Sequence, residues 1–146
     1  MRIRFGFDTR ATPAQVLEAF TDVGDRRLEI WSKTLDPAKY EVREAGDGWA
    51  VIREGSAGVP FWVLLRYEWP ARDRITWTLL DSDHCDRGTG DIRIAPRDGG
   101  GSRVEVTMRH GGGRGLRGRA VLLVQGLVAP VALRRVWRAA LDRLAG

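Results

Sequence analysis

Ile3, Phe5 and Phe7 alternate with Arg2, Arg4 and Asp8, and this period of two predicts a half-buried strand. The pattern breaks at Thr12-Pro13-Ala14-Gln15, a capping box with proline at the first helical position. The helix it opens is expected to reach about Thr21 and to bury Val16, Leu17 and Phe20. Gly24 ends it, Asp25 can cap a second short helix carrying Leu28 and Trp31, and Asp36-Pro37 makes a turn.

From Tyr40 to His110 the pattern is strand-like throughout. Tyr40–Ala45 and Trp49–Glu54 flank the hairpin signal Gly46-Asp47-Gly48. Phe61–Trp69 is expected to turn through Pro70-Ala71-Arg72-Asp73. Ile75–Asp81 is joined through Asp81-Ser82-Asp83-His84 to a strand ending at Ile92-Arg93-Ile94. Asp98-Gly99-Gly100-Gly101 leads into Ser102–His110, where Val104, Val106 and Met108 alternate with Arg103, Glu105 and Arg109. His110-Gly111-Gly112-Gly113 reads as a flexible hinge.

After the hinge one helix extends from about Leu116 to Leu144, some 43 Å at ~1.5 Å per residue. A domain of this size is seldom that wide, so the helix is expected to cross the body and close a curved sheet. Leu133, Val136, Trp137, Ala140, Leu141 and Leu144 form one stripe, with Arg134, Arg135, Arg138 and Asp142 facing water. That half is expected to pack on the sheet. Ala120 to Ala132 is apolar on every side, which suits one face lining a cavity through Val124 and Val128 and another meeting a neighbouring subunit or lid. Pro130 removes a backbone donor and is expected to kink the helix.

The element order is strand, two short helices, six antiparallel strands, long helix. This is an α+β pattern in one domain over residues 1–146, with no internal repeat. The chain has 43% hydrophobic and 29% charged residues, the balance of a globular protein. The 24 basic residues exceed the 19 acidic by five. They are nearly all Arg and alternate with Asp and Glu along strands, which describes a solvated sheet face and argues against nucleic-acid binding. One cysteine, Cys85, excludes an internal disulfide and fits a reducing compartment. No signal-like apolar run stands at the N-terminus, and Ala120–Leu133 falls short of a bilayer span. A cytoplasmic monomer or homodimer is expected, without stable membrane insertion. Peripheral contact through Arg114, Arg117 and Arg119 is a competing reading, against which the missing polar face of the apolar segment argues.

The whole chain resembles the helix-grip fold of the SRPBCC superfamily, which includes START proteins, birch-pollen allergens and polyketide cyclases. The resemblance rests on the element order, on Thr12, Pro13, Val16 and Phe20 at the first helix, and on Gly88-Thr89-Gly90-Asp91-Ile92-Arg93-Ile94-Ala95-Pro96 followed by a glycine turn and Arg103-Val104-Glu105-Val106. It is similar to bacterial polyketide cyclase or dehydrase members. The resemblance implies a seven-stranded antiparallel curved sheet gripping the C-terminal helix, with a hydrophobic cavity between them. It carries over no catalytic residue and no cofactor.

Strand parity then nominates cavity residues. Val106, Met108 and His110 share one face of the last strand, and Tyr67, Trp69, Trp77 and Leu79 lie on the apolar faces of theirs. Trp31 lies where the superfamily lines or gates its pocket. Pairing around the Asp98-Gly99 turn brings His110 opposite Asp86 or Gly88. An Asp86–His110 pair could act as a general base, and the alternative is a solvated rim histidine with Asp86 held by a nearby Arg. Arg66 is expected outside, with Trp62 and Leu64. Asp81-x-Asp83-His84-Cys85-Asp86 matches no metal spacing and reads as a polar hairpin tip. The expected function is binding of a hydrophobic small molecule, lipid-like, polyketide or otherwise cyclic. The alternative is a cyclase or dehydratase using His110, Asp86 or Tyr67 for proton transfer.

Overall fold

The computed structural model describes residues 1–146. Seven antiparallel strands form one sheet: β1 (Arg2–Thr9), β2 (Glu41–Gly46), β3 (Trp49–Glu54), β4 (Val63–Ala71), β5 (Arg74–Ser82), β6 (Cys85–Pro96) and β7 (Ser102–Gly113). Their spatial order is β1-β7-β6-β5-β4-β3-β2, so the first two strands in sequence are the two edges. The helices α1 (Pro13–Thr21) and α2 (Asp25–Ile30) lie between those edges in sequence, and α3 (Gly115–Ala145) ends the chain. The third helix packs on β1, β7 and α1. This is the expected α+β helix grip.

Local chemistry accounts for the element ends. Thr12 Oγ1 accepts from the Gln15 amide at 3.2 Å, and Gln15 Oε1 accepts from the Thr12 amide at 2.9 Å, closing the capping box. Gly24, not Asp25, caps α2, and no side chain bonds there. The β4–β5 reversal is tighter than expected, because Ala71 already pairs with Arg74 and only Arg72-Asp73 turn. The glycine hinge is absent. Gly111 and Gly113 pair with Arg87 and Cys85, so the glycines extend β7 instead of loosening it.

Register breaks bend the sheet at Val42/Glu44, Leu64/Leu65 and Glu68/Ala71. The pairing of β5 with β6 stops at Thr78–Thr89, although β6 stays paired to β7 as far as Cys85–Gly113. The hairpin tip thus opens, and α3 starts against it. The Arg114 amide donates to the His84 carbonyl at 2.8 Å. A Cβ at Gly118 would stand 2.3 Å from that same oxygen, so only glycine lets the helix approach this closely.

Inward residues follow strand parity. Ile3, Phe5 and Phe7 on β1, Ile92 and Ile94 on β6, and Val104, Val106 and Met108 on β7 are all buried. On α3 the buried residues are Gly118, Leu122, Ala140 and Leu141. The helix runs unbroken through Pro130. Its second half is anchored by aromatics: Trp137 meets Phe5, Phe20 and Trp31 with ring centroids 5.7, 5.3 and 6.0 Å apart.

Candidate functional site

Under the second half of α3 lies a hollow of about 160 Å³. Val63, Leu65, Tyr67, Trp77, Ile92, Met108 and His110 of the sheet form one wall. Phe20, Arg27, Trp31, Leu133 and Trp137 of the helical layer face them, and Thr34, Leu35, Ser56 and Phe61 come from loops. The Trp77 indole lies flat against the β6 backbone at Gly90, where a Cβ would sit only 2.0 Å from the ring. That glycine makes room for the widest side chain in the wall.

One buried polar cluster interrupts the apolar lining. Glu54 Oε1 accepts from the Tyr67 hydroxyl, and Glu54 Oε2 accepts from Arg27 Nη2 at 3.2 Å. Arg27 Nη1 donates to the Phe20 carbonyl at 2.8 Å, and its guanidinium sits 5.2 Å from the Tyr67 ring centroid. Burial works against the Arg27 charge, but the Glu54 carboxylate outweighs it and holds the arginine pKa above its ordinary value. Burial, and after it the Glu54 charge, holds the Tyr67 phenol well above its ordinary pKa. The cluster is therefore an internally neutralised ion pair with a protonated tyrosine. Its charges are mutually committed, because removing one partner would strand the other in an apolar interior.

His110 is different. Its ring lies over Gly88, its strand partner, and neither ring nitrogen has a hydrogen-bond partner. Burial first, then the charges of His84 and the N-terminal ammonium, push its pKa down to about 4. At neutral pH it is an uncharged imidazole at the edge of the hollow whose one donor and one acceptor are buried and unpaired. His84 is wholly buried at the hairpin tip, its ring tilted by 39° against Phe61 with centroids 4.2 Å apart. Its Nδ1 lies 2.7 Å from Ser82 Oγ, which itself donates to the Trp62 carbonyl at 2.9 Å. Nδ1 therefore carries the proton, and Nε2 is left as an acceptor without a partner. Burial lowers the His84 pKa, against smaller opposing effects of Gln125 and Asp83.

The proposed Asp86–His110 pair does not form. Asp86 lies beyond the covered part of the strand, folds over Gly112 and reaches Arg87 at 3.5 Å with half its side chain exposed. Trp31, Tyr67, Trp77, Met108 and His110 line the hollow. Leu79 and Val106 are buried in the core beside it, and Trp69 lies at the core margin. Val124 and Val128 are 56% and 55% exposed on the outer side of α3, so they do not line it. The second half packs on the sheet as expected and also covers the hollow, through Leu133 and Trp137, in place of the first half. Arg66 lies outside, stacked on Trp49 at 4.4 Å. The hairpin tip is less polar than expected, because His84 turns into the core.

The sequence pattern alone did not single out Arg27 or Glu54. Glu54 shares strand parity with the buried Ala50 and Ile52, and Arg27 stands four residues before Trp31, so both signals were present. His84 shares the inward parity of Ile92 and Ile94, but its turn-like segment read as a polar tip, and nothing local foretells that Phe61 will cover it.

The sequence model of the family described as polyketide cyclase / dehydrase and lipid transport matches residues 6–146. Comparison with curated protein sequences returned no match. Among solved structures, the protein TTHA0849 from Thermus thermophilus is similar, with a TM-score of 0.78 at 18% identity over 99% of this chain and 97% of the other. A START superfamily protein from Mycobacterium smegmatis superposes with a TM-score of 0.73 at 13% identity, covering 98% of each chain. The ZhuI aromatase/cyclase of Streptomyces sp. R1128 gives 0.65 at 21% identity over 99% of this chain and 86% of the other. At such identities these structures establish the fold alone.

Proposed function

The chain belongs to the polyketide cyclase / dehydrase and lipid transport family, and from that premise we propose that it holds an apolar small molecule with one polar group in the hollow beneath α3. The observation that carries this reading is His110, a neutral imidazole with two unpartnered nitrogens in a mostly apolar lining whose other buried polar group, the Arg27–Glu54–Tyr67 cluster, is already paired. A buried polar group without a partner is costly, and a ligand hydroxyl or carbonyl relieves that cost. The volume of about 160 Å³ suits one ring or the end of an acyl chain. The Arg27–Glu54 pair cancels its own charge, so an uncharged ligand fits better than an ion. A cytoplasmic location belongs to this reading and is supported by the single cysteine, Cys85, buried and without a disulfide.

Calorimetric titration with toluene and with p-cresol tests the assignment. Both are expected to bind, p-cresol more tightly by up to about tenfold, the worth of one ordinary hydrogen bond. His110→Leu is expected to erase that difference while toluene still binds. Failure of both probes, or an undiminished preference in the variant, contradicts the assignment.

A second reading, cyclase or dehydratase chemistry, is favoured by one observation: His110 and the Tyr67–Glu54–Arg27 cluster border the same hollow. A neutral imidazole there can take a proton from a bound substrate. Tyr67, whose hydroxyl already donates its hydrogen bond to Glu54, would position the substrate and not act as a free acid. Asp86 has no part in it.

A further inference from the structure

The outer face of α3 has no partner in the fold. Leu116, Leu123, Leu127 and Val131 recur along one side and are 84%, 68%, 74% and 74% exposed, with Val124 and Val128 beside them. Helical spacing continues this side into Arg134 and Arg138 at one end, and Arg114, Arg117 and Arg119 stand at the other. The only acidic residue from Gly115 to the end of the chain is Asp142, which is engaged by Thr9 and Arg10 at 2.7 and 2.9 Å. Arg114 and Arg117 are near Asp81 and Asp83, at 3.7 and 4.0 Å, and Arg138 reaches Asp142 at 3.7 Å, whereas Arg119, Arg134 and Arg135 make no ion pair. Next to Val131, a shallow groove gathers Arg4, Arg134, Arg135 and Arg138 around Asp142.

We propose that this face docks the protein on an anionic lipid bilayer. The helix would lie along the interface, with the leucines and valines at the acyl boundary and the arginines on lipid phosphates. The charges select this occupant over a second copy of the chain. Both ends of the stripe are basic, so a two-fold contact sets arginines against arginines whether the helices run parallel or antiparallel. Passage across the bilayer is a poorer fit, although α3 has the length and apolar content of a spanning helix. The uncharged stretch from Ala120 to Leu133 is about 21 Å long at ~1.5 Å per residue, short of a hydrocarbon core of about 30 Å. Crossing would also strip Trp137 and Leu141 from the protein interior. A surface helix ordinarily needs a polar face of its own. This one does not, because its other face is covered by the sheet.

Co-sedimentation with vesicles tests the proposal. One set is phosphatidylcholine mixed with phosphatidylglycerol, and the other is phosphatidylcholine alone. The protein is expected to sediment with the mixed vesicles only and to be released by high salt. Arg134→Gln and Arg135→Gln each lower partitioning about fivefold, and Leu123→Glu with Leu127→Glu abolishes it. These positions are exposed, so circular dichroism of the variants should match the parent. Equal binding to both vesicle sets, no binding to either, or binding indifferent to Leu127→Glu overturns the proposal. So does a dimer in gel filtration that Leu127→Glu dissociates.

Discussion

His110 holds a neutral ring against the cavity because protonation there has neither solvent nor a carboxylate to support it. The unfolded chain takes up this proton near pH 6.5, and the folded chain only near about 4. Stability present above pH 6.5 is therefore lost as the pH falls from 6.5 towards 4, by roughly 3 kcal/mol from this group. Urea unfolding at pH 7 and pH 4.5 is expected to show the loss in the parent and a clearly smaller loss in His110→Leu. Identical pH dependence in the two proteins would place the His110 ring in solvent. The inward face of His110 was legible from its parity with Val106 and Met108. The missing partner was not, because strand parity nominated Asp86 while the uncovered end of the hairpin turned that carboxylate to water.

At the scale of the element, α3 divides into a half that belongs to the protein and a half that faces outward. The second half has a readable stripe, ending in Leu141 and Leu144, and the fold uses it as expected. The first half is apolar on all sides, and a helix with no polar face has no period from which to infer its inward side. Its orientation is set from outside the segment, by the close fit of Gly118 on His84 and by Trp137 locked among Phe5, Phe20 and Trp31. Trp137→Ala is accordingly expected to cost about 3 kcal/mol in denaturant unfolding, in the range for losing a large aromatic from a core. Val124→Ser with Val128→Ser is expected to change stability by no more than about 0.5 kcal/mol. Equal losses would mean that both halves are packed. The glycines from Gly111 to Gly113 carry a similar lesson. Glycine composition suggested a hinge, but available backbone partners on β6 recruited the segment into the sheet.

For the whole molecule, edge strands adjacent in sequence and a closing helix leave the interior between the sheet and α1, α2 and α3. The order of elements was legible throughout, since hairpin signals and alternation are local properties. What occupies the interior depends on long-range packing. Parity and helical spacing can turn Glu54, Arg27 and His84 inward, but the contacts of Glu54 with Arg27 and Tyr67, and of His84 with Phe61, exist only once the layers are assembled. If this interior receives an apolar molecule, the six tryptophans offer six indole N–H signals that report it. Trp31, Trp77 and Trp137 line the hollow, while Trp49, Trp62 and Trp69 do not. In nitrogen-15 correlation spectra of the protein titrated with p-cresol, saturable shifts are expected for the first three indoles, with the other three unmoved. Shifts confined to Trp49, Trp62 and Trp69, or no saturable shift in any of the six, would contradict the account.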